Sequence, residues 1–332
     1  MMAPAGLWTL AWRRLRADRV AMLSLAVVAA FLLMLALSAA GLVAADWEDE
    51  VGVSYAPPGF SSAAAPAAGP AAAPPAALPD NPFDPLADDL RALRAAAAPA
   101  PAIAVRRATL PFGADKWGHD IIKKTIKGGE TSIVVGLAAA SLAVGIGTLF
   151  GALAGYRGGV VDDLFNWFYS VFTAIPSVLM ILAVAAVLQQ RGVVTIVLIL
   201  GLTGWTGPFR LIRAEYIKHK GREYVLAADA IGASHWRRMF SHIFPNVSHV
   251  ALVQLSILVV GFIKAEVILS FLGFGVPVGV VSWGSMLNEA QNELILGRWW
   301  QLTAAAIAMA LLVTAFSLLT DALRDALDPK VK

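Results

Sequence analysis

Three histidines, His235, His242 and His249, recur every seven residues. On an unbroken helix that spacing would set the imidazoles along one face as candidate ligands. Pro245 falls between them and is expected to interrupt the helix, so they are read as surface or interface side chains. A second candidate is LPFGADKWGHDII (110–122), where Gly113 and Gly118 have the four-residue gap of a phosphate-cradling loop. Such a loop needs Lys and Ser/Thr after its second glycine. Here His119 and Asp120 stand in those places, with no strand in front of them. No nucleotide site is assigned, and the chain is not expected to hydrolyse ATP itself. The third candidate is Lys264 with Glu266, ionisable groups inside an apolar run. Charges cost about 3 kcal/mol at the centre of a membrane helix, so they mark functional candidates. Two residues apart, they point to different sides of a helix. Either they line a translocation pathway, or both lie near the outer end, Lys264 snorkelling and Glu266 paired to a neighbouring subunit. Cysteine is absent, as are His-Glu-x-x-His and a nucleophile elbow. No metal, cofactor or catalytic residue is assigned, and the chain is not read as an enzyme.

The elements that must position these groups are membrane helices. Hydrophobic residues make up 58% of the chain and charged residues 15%, with a mean hydropathy of +0.69. Soluble domains carry about 25% charged residues. Six apolar runs, at about 20–45, 131–155, 164–188, 193–212, 249–272 and 302–320, approach or exceed the roughly 20 residues that cross a bilayer. The fold class is therefore all-α, a polytopic membrane protein of six transmembrane helices. Gly147 and Gly151 belong to a small-residue stretch suited to close helix packing, and Pro176 and Pro208 are expected kinks. A carrier driven by protons would need a relay of carboxylates across the bilayer, and none is present. Nucleic acid is excluded as a partner because no basic face with stacking groups is found.

Arg13, Arg14, Arg16 and Arg19 precede the first run, and Asp46, Glu48, Asp49 and Glu50 follow it. The positive-inside rule then places both termini in the cytoplasm. The segment 210–248, with seven Lys and Arg, falls on the same side. Lys123, Lys124 and Lys127 run against the rule, but long external segments largely escape it. Three regions result: 1–45, the cytoplasmic N-terminus and first span; 46–130, an external loop; and 131–332, a five-helix core containing the cytoplasmic loop 210–248. Between 56 and 105 alanine and proline dominate, which points to a partly extended tether. Asp84, Asp88, Asp89, Arg91 and Arg94 could form one short helix within it.

The most distinctive stretch lies between the fourth and fifth runs: EYVLAADAIGASHWRRMFSHIFPN (223–246). Gly232 breaks it, and Pro245 closes its second half. This segment resembles the coupling loop of membrane subunits of bacterial ABC importers. Ala227, Ala228, Gly232 and Pro245 match that family's pattern, while Leu226 replaces its glutamate and Phe244 its leucine. PFGADKWGHDII, VILSFLGFGV (267–276), SWGSML (282–287) and DALRDALDP (321–329) resemble segments of the dipeptide/oligopeptide/nickel permease branch. The likeness covers roughly 110–329, and residues 46–105 show no counterpart.

The resemblance implies a type I ABC importer permease fold in a bacterial inner membrane. It implies three kinds of partner besides membrane lipid: a second homologous permease subunit, two cytoplasmic ABC ATPase subunits and an external substrate-binding protein. The implied coupling residues are Glu223, Tyr224, Ala227, Ala228, Asp229, Gly232, Ala233, Ser234 and Pro245. A helix from about 222 to 231 would enter a groove on an ATPase, small Ala227 and Ala228 allowing close approach. Gly232 would turn the chain into a second helix over 234–244. Glu223 or Asp229 could supply the carboxylate that Leu226 does not, though neither is read as sharing its helix face. The implied function is half of a pathway for peptides or similar small solutes; the alternative is a self-contained secondary carrier or channel.

Overall fold

The computed structural model describes residues 7–61, 106–188, 190, 192–277 and 279–327. The expected tether and its short helix fall outside the described residues from 62 onward. The chain divides into two compact units, one formed by 1–45 and 125–332 and the other by 46–124.

In the larger unit, α1 (Leu7–Ala17) sets Ala11 against Ala326 and Leu327 near the C-terminus. Asp18 then caps α2 (Arg19–Ala39), its carboxylate accepting from the amides of Val20 and Ala21 and satisfying two of the helix's free donors. Next come α3 (Ile121–Arg157), α4 (Gly159–Ala174), α5 (Ser177–Leu188), α6 (Val193–Thr203), α7 (Thr206–Lys220) and α8 (Glu223–Ala230). The last three are α9 (His235–Phe271), α10 (Trp283–Ile295) and α11 (Trp300–Leu327). Among the described residues four helices, α2, α3, α9 and α11, are long and apolar enough to cross a membrane alone. The total is six if the bent pairs α4/α5 and α6/α7 each count as one span.

The two bends have different chemistry. α4 and α5 meet at 88° across Ile175 and Pro176; the proline cannot continue the ladder and holds Ile175 extended. α6 and α7 meet at 41° across Gly204 and Trp205. The expected kink at Pro208 is thus displaced one turn, because a proline ring clashes with the carbonyl four residues before it, here that of Gly204. Pro208 itself lies buried in the first turn of α7.

α3 lies directly on the backbone of α7. A Cβ on Gly147, Gly151 or Gly155 would lie 2.6, 2.8 or 2.6 Å from the carbonyl oxygens of Trp205, Phe209 and Arg213 respectively. Three glycines at four-residue spacing therefore lay one helix on the backbone of another, where any side chain would force them apart. Around this seam Trp205 and Phe209 pack with Phe150, Phe165 and Phe172. Arg213 of α7 makes a bidentate pair with Asp162 of α4, both bonds 2.6 Å.

The unit 46–124 is organised by Asp115. Its side chain is fully buried and accepts from Lys124 Nζ at 2.7 Å and from the amides of Trp117 and His119 at 2.8 and 3.0 Å. Burial alone would raise this carboxyl, but the Lys124 ammonium and the loop's donors hold it below the usual carboxylate range. Gly118 has φ +91° and leaves no room for a Cβ against the Gly52 carbonyl. The glycines of 110–122 thus shape a turn around a carboxylate. Lys123 pairs with Asp46, Lys124 with Asp115 and, in the other unit, Lys127 with Glu130. Each of the three lysines that run against the charge rule therefore has a structural role.

Valine at 151 should push α3 and α7 apart, lowering stability by about 1–3 kcal/mol. Alanine at Gly145, where an added Cβ meets nothing within 4 Å, should not lower stability, since alanine favours a helix interior over glycine. Thermal unfolding of the detergent-solubilised protein compares them; equal midpoints would contradict the seam.

Candidate functional site

α7 ends at Lys220, and Gly221 and Arg222 turn the chain into the eight-residue α8. His219 of α7 and Tyr224 of α8 are joined across this turn, Nδ1 to hydroxyl, at 2.8 Å. Val225 and Ala228 point inward, both buried. Val225 enters an apolar cluster of Ala152 and Tyr156 from α3, Ile212 and Tyr216 from α7, and Met239, Ile243 and Val247 from α9. Glu223, Leu226, Ala227, Ala230 and Ile231 are all exposed. Their i, i+3, i+4, i+7, i+8 spacing makes them one helix face, mostly apolar, on which Leu226 and Ile231 are 55% and 85% exposed.

The end of α8 is closed by its backbone. The amide of Ala233 bonds to the carbonyl of Ala228 at 3.0 Å, and that of Gly232 to the carbonyl of Asp229 at 2.8 Å. This double closure needs its penultimate residue left-handed, and Gly232 has φ +82°. Ser234 then caps α9, its Oγ accepting from the Arg237 amide at 3.4 Å. The elbow from α7 to α9 is thus capped at both inner ends.

α9 does not stop at Pro245, contrary to expectation. Residues His235–Phe271 form one helix, with a π-helical segment over Arg238–Ile243 just before the proline. The wider turn pairs the Phe244 amide with the Met239 carbonyl, re-registering the ladder so that Pro245 can follow. The same carbonyl accepts from the fully buried Tyr216 hydroxyl at 3.1 Å, tying α9 to α7. His235, His242 and His249 therefore share a continuous helix after all.

A polar cluster backs the elbow. Asp229 pairs with Arg238; His235 Nδ1 lies 2.8 Å from Arg238 Nη2 and 3.1 Å from the Tyr156 hydroxyl. The Arg238 guanidinium and the Lys220 ammonium both sit over the Tyr156 ring, a favourable placement for cations. Burial pushes the Tyr224 phenol above its ordinary value.

The expected coupling residues from Glu223 to Ser234 are thus gathered in one elbow, while Pro245 lies beyond it within α9, and two further points differ from expectation. Only Ala227 faces outward; Ala228 packs within the chain. Glu223 and Asp229 each lie three residues from Leu226, which on a helix makes them its neighbours, so the expected separation of faces does not hold. Sequence reasoning missed Ile231, Tyr216 and Arg238. The first shows in the apolar spacing of α8; the buried Tyr216 to Met239 bond has no local signal.

Lys264 and Glu266 are not brought together. Lys264 is exposed, whereas Glu266 is fully buried. Its carboxylate accepts from Ser132 Oγ and Ser270 Oγ, both at 2.7 Å. Its partners lie within its own chain rather than across a subunit boundary.

Residues 147–332 match the family described as binding-protein-dependent transport system inner membrane component. Residues 6–58 match the N-terminal TM domain of oligopeptide transport permease C, which gives residues 46–58 a counterpart after all. The chain is 37% identical over 221 residues to the dipeptide transport system permease protein of Bacillus subtilis, covering 67% of this chain and 69% of that protein. It is also 37% identical over 221 residues to that organism's oligopeptide transport system permease protein, covering 67% and 72%. The oligopeptide permease of Haemophilus influenzae is 34% identical over 219 residues, covering 66% and 70%.

Replacing Gly232 by valine places a β-branched residue in left-handed backbone, at a cost of about 1–2 kcal/mol. Hydrogen exchange should accelerate at the amides of Gly232 and Ala233, while Gly221→Ala, at φ −88°, should leave them protected. Unchanged exchange in Gly232→Val would contradict the closure.

Proposed function

This chain belongs to the family of binding-protein-dependent transport system inner membrane components, and from that membership we propose that it is one permease subunit of an ATP-driven importer. It has the type I importer permease fold and is a multi-pass inner membrane protein. In the proposed assembly it forms half of the pathway beside a second homologous permease, receives its cargo from an external binding protein, and docks on a pair of cytoplasmic ATPase subunits. The cargo is a peptide or similar small solute, in keeping with the names of its relatives. Both termini and the elbow face the cytoplasm.

The observation that carries this reading is the outward face of α8. Glu223, Leu226, Ala227, Ala230 and Ile231 form an apolar stripe with one acidic end, and α8 buries its opposite face in its own chain. Such a stripe suits a helix laid in a groove of a partner. Its small centre, Ala227 and Ala230, admits close approach, and Leu226 and Ile231 supply apolar area. Leu226 in place of the family's glutamate makes this contact more apolar, with Glu223 and Asp229 the carboxylates nearest to it.

Nucleotide-driven closure of the ATPases would move α8. Because α8 is closed onto α9 by Gly232 and bound to α7 through Tyr224 and Val225, the displacement passes to those helices as a rigid-body motion. The pathway then alternates between its two openings. Lys264 is proposed to line that pathway; Glu266, enclosed by serines, would act on it from behind.

Aspartate at Ile231 adds a charge to the docking face without touching the chain's own packing. It should weaken co-purification with the ATPases by about tenfold or more and abolish uptake, with folding unchanged. Asp229→Lys, which also removes the Arg238 pair, should uncouple hydrolysis from uptake. The chain reconstituted alone should be inert; uptake without ATPases would instead favour a self-contained carrier or channel.

A further inference from the structure

The helix that leaves the elbow does not end until it is beyond Glu266. α9 is continuous over 37 residues, and at about 1.5 Å per residue Glu266 lies about 45 Å along it from His235. At this far end α9 is tied to two other helices. Ser132 Oγ of α3 donates to Glu266 Oε2 at 2.7 Å and accepts from the backbone amide of Trp283, the first residue of α10, at 3.2 Å. One hydroxyl thus holds three helices. Ser270, on the same helix as Glu266, donates to its other oxygen at 2.7 Å. Its Oγ lies 3.5 Å from that of Ser282, which caps α10. Ser132, Glu266 and Ser282 are fully enclosed.

The surrounding backbones leave no slack. A Cβ on Gly129 would lie 2.8 Å from the Trp283 ring, one on Gly136 3.2 Å from the Val259 carbonyl, and one on Gly284 2.8 Å from Val267 Cα. Interiors packed this closely transmit displacement rather than absorb it. A bond between buried polar groups is also costly to break, since neither group then finds water.

We infer that the Ser132–Glu266 bond is the anchor of the lever: it fixes the far end of α9 against α3 and, through the Trp283 amide on the same hydroxyl, sets α10 by the motion of the elbow. These are positioning residues, which touch no solute. The inference rests on the coupling reading above. With the anchor intact, a push at α8 turns α9 about Ser132 and carries α10 with it. Without it, α9 can shift alone, and ATP hydrolysis is spent without moving the pathway.

Ser270 provides the contrast. It is a buried hydroxyl bonded to the same carboxylate at the same distance, but from the same helix, so its removal leaves the α9–α3 bond and the Trp283 amide bond in place and gives up only the 3.5 Å contact with Ser282. The readout is solute imported per ATP hydrolysed by the assembled transporter in proteoliposomes. Ser132→Ala should lower that ratio by about tenfold while the complex still assembles and hydrolyses ATP. Ser270→Ala should stay within about twofold of the unaltered protein. Glu266→Gln, which keeps an acceptor oxygen for Ser132, should retain most of the ratio, and Glu266→Ala should behave like Ser132→Ala. Equal effects of the two serine variants, or an unaltered ratio in Ser132→Ala, would overturn the anchor. If Ser132→Ala does not assemble, the two Glu266 variants decide: a gap of about tenfold between them supports the anchor and equal ratios overturn it. Failure of the unaltered chain to assemble with ATPases defeats the coupling reading itself, and is seen before any variant is compared.

Discussion

Along Gly147, Gly151 and Gly155 no side chain separates α3 from α7. The carbonyls of Trp205, Phe209 and Arg213 occupy the space that Cβ atoms would take. In a lipid solvent no hydrophobic force drives two apolar helices together, so close backbone contact and its dispersion energy must do the work. That contact fixes the line of α7, and α7 carries the elbow. The bend at Gly204 and the bidentate Arg213–Asp162 pair flank the seam and hold its direction.

From that fixed line the elbow is built to resist bending. Tyr224 is joined to His219, Val225 is buried among three helices, the double closure at Gly232 ends α8, and Ser234 starts α9. Each feature contributes about 1 kcal/mol or less to a few kcal/mol. Together they make α8 a part of the helices on either side. The π-helical segment is the one departure from regular geometry, and the Tyr216 bond to Met239 holds it in place. A surface helix with this much backing, and an apolar outer face, has the mechanical character of a lever arm.

Much of this was legible in the chain. Hydropathy located the spans because lipid permits few other patterns, and Gly232 announced its turn because only glycine enters that conformation cheaply. Less was legible where the outcome depended on contact. Gly147 and Gly151 marked a packing face, but nothing local said that α7 would fill it. Pro245 read as a stop, and a π turn six residues long absorbed it instead. Ala227 and Ala228 looked equivalent in sequence, and a rotation of one residue about the helix put one outside and one inside. Glu266 stood out as a charge in an apolar run, yet its partner Ser132 lies 134 residues away, and serines are unremarkable in membrane helices.

The central claim is that the outer face of α8 lies inside the cell and is covered by a separate ATPase. The chain has no cysteine, so a single cysteine at Ile231 reports on that face alone. A membrane-impermeant thiol reagent should label it only from the cytoplasmic side, and the assembled ATPases should protect it. Labelling from the outer face, or equal labelling with and without the ATPases, would contradict the account.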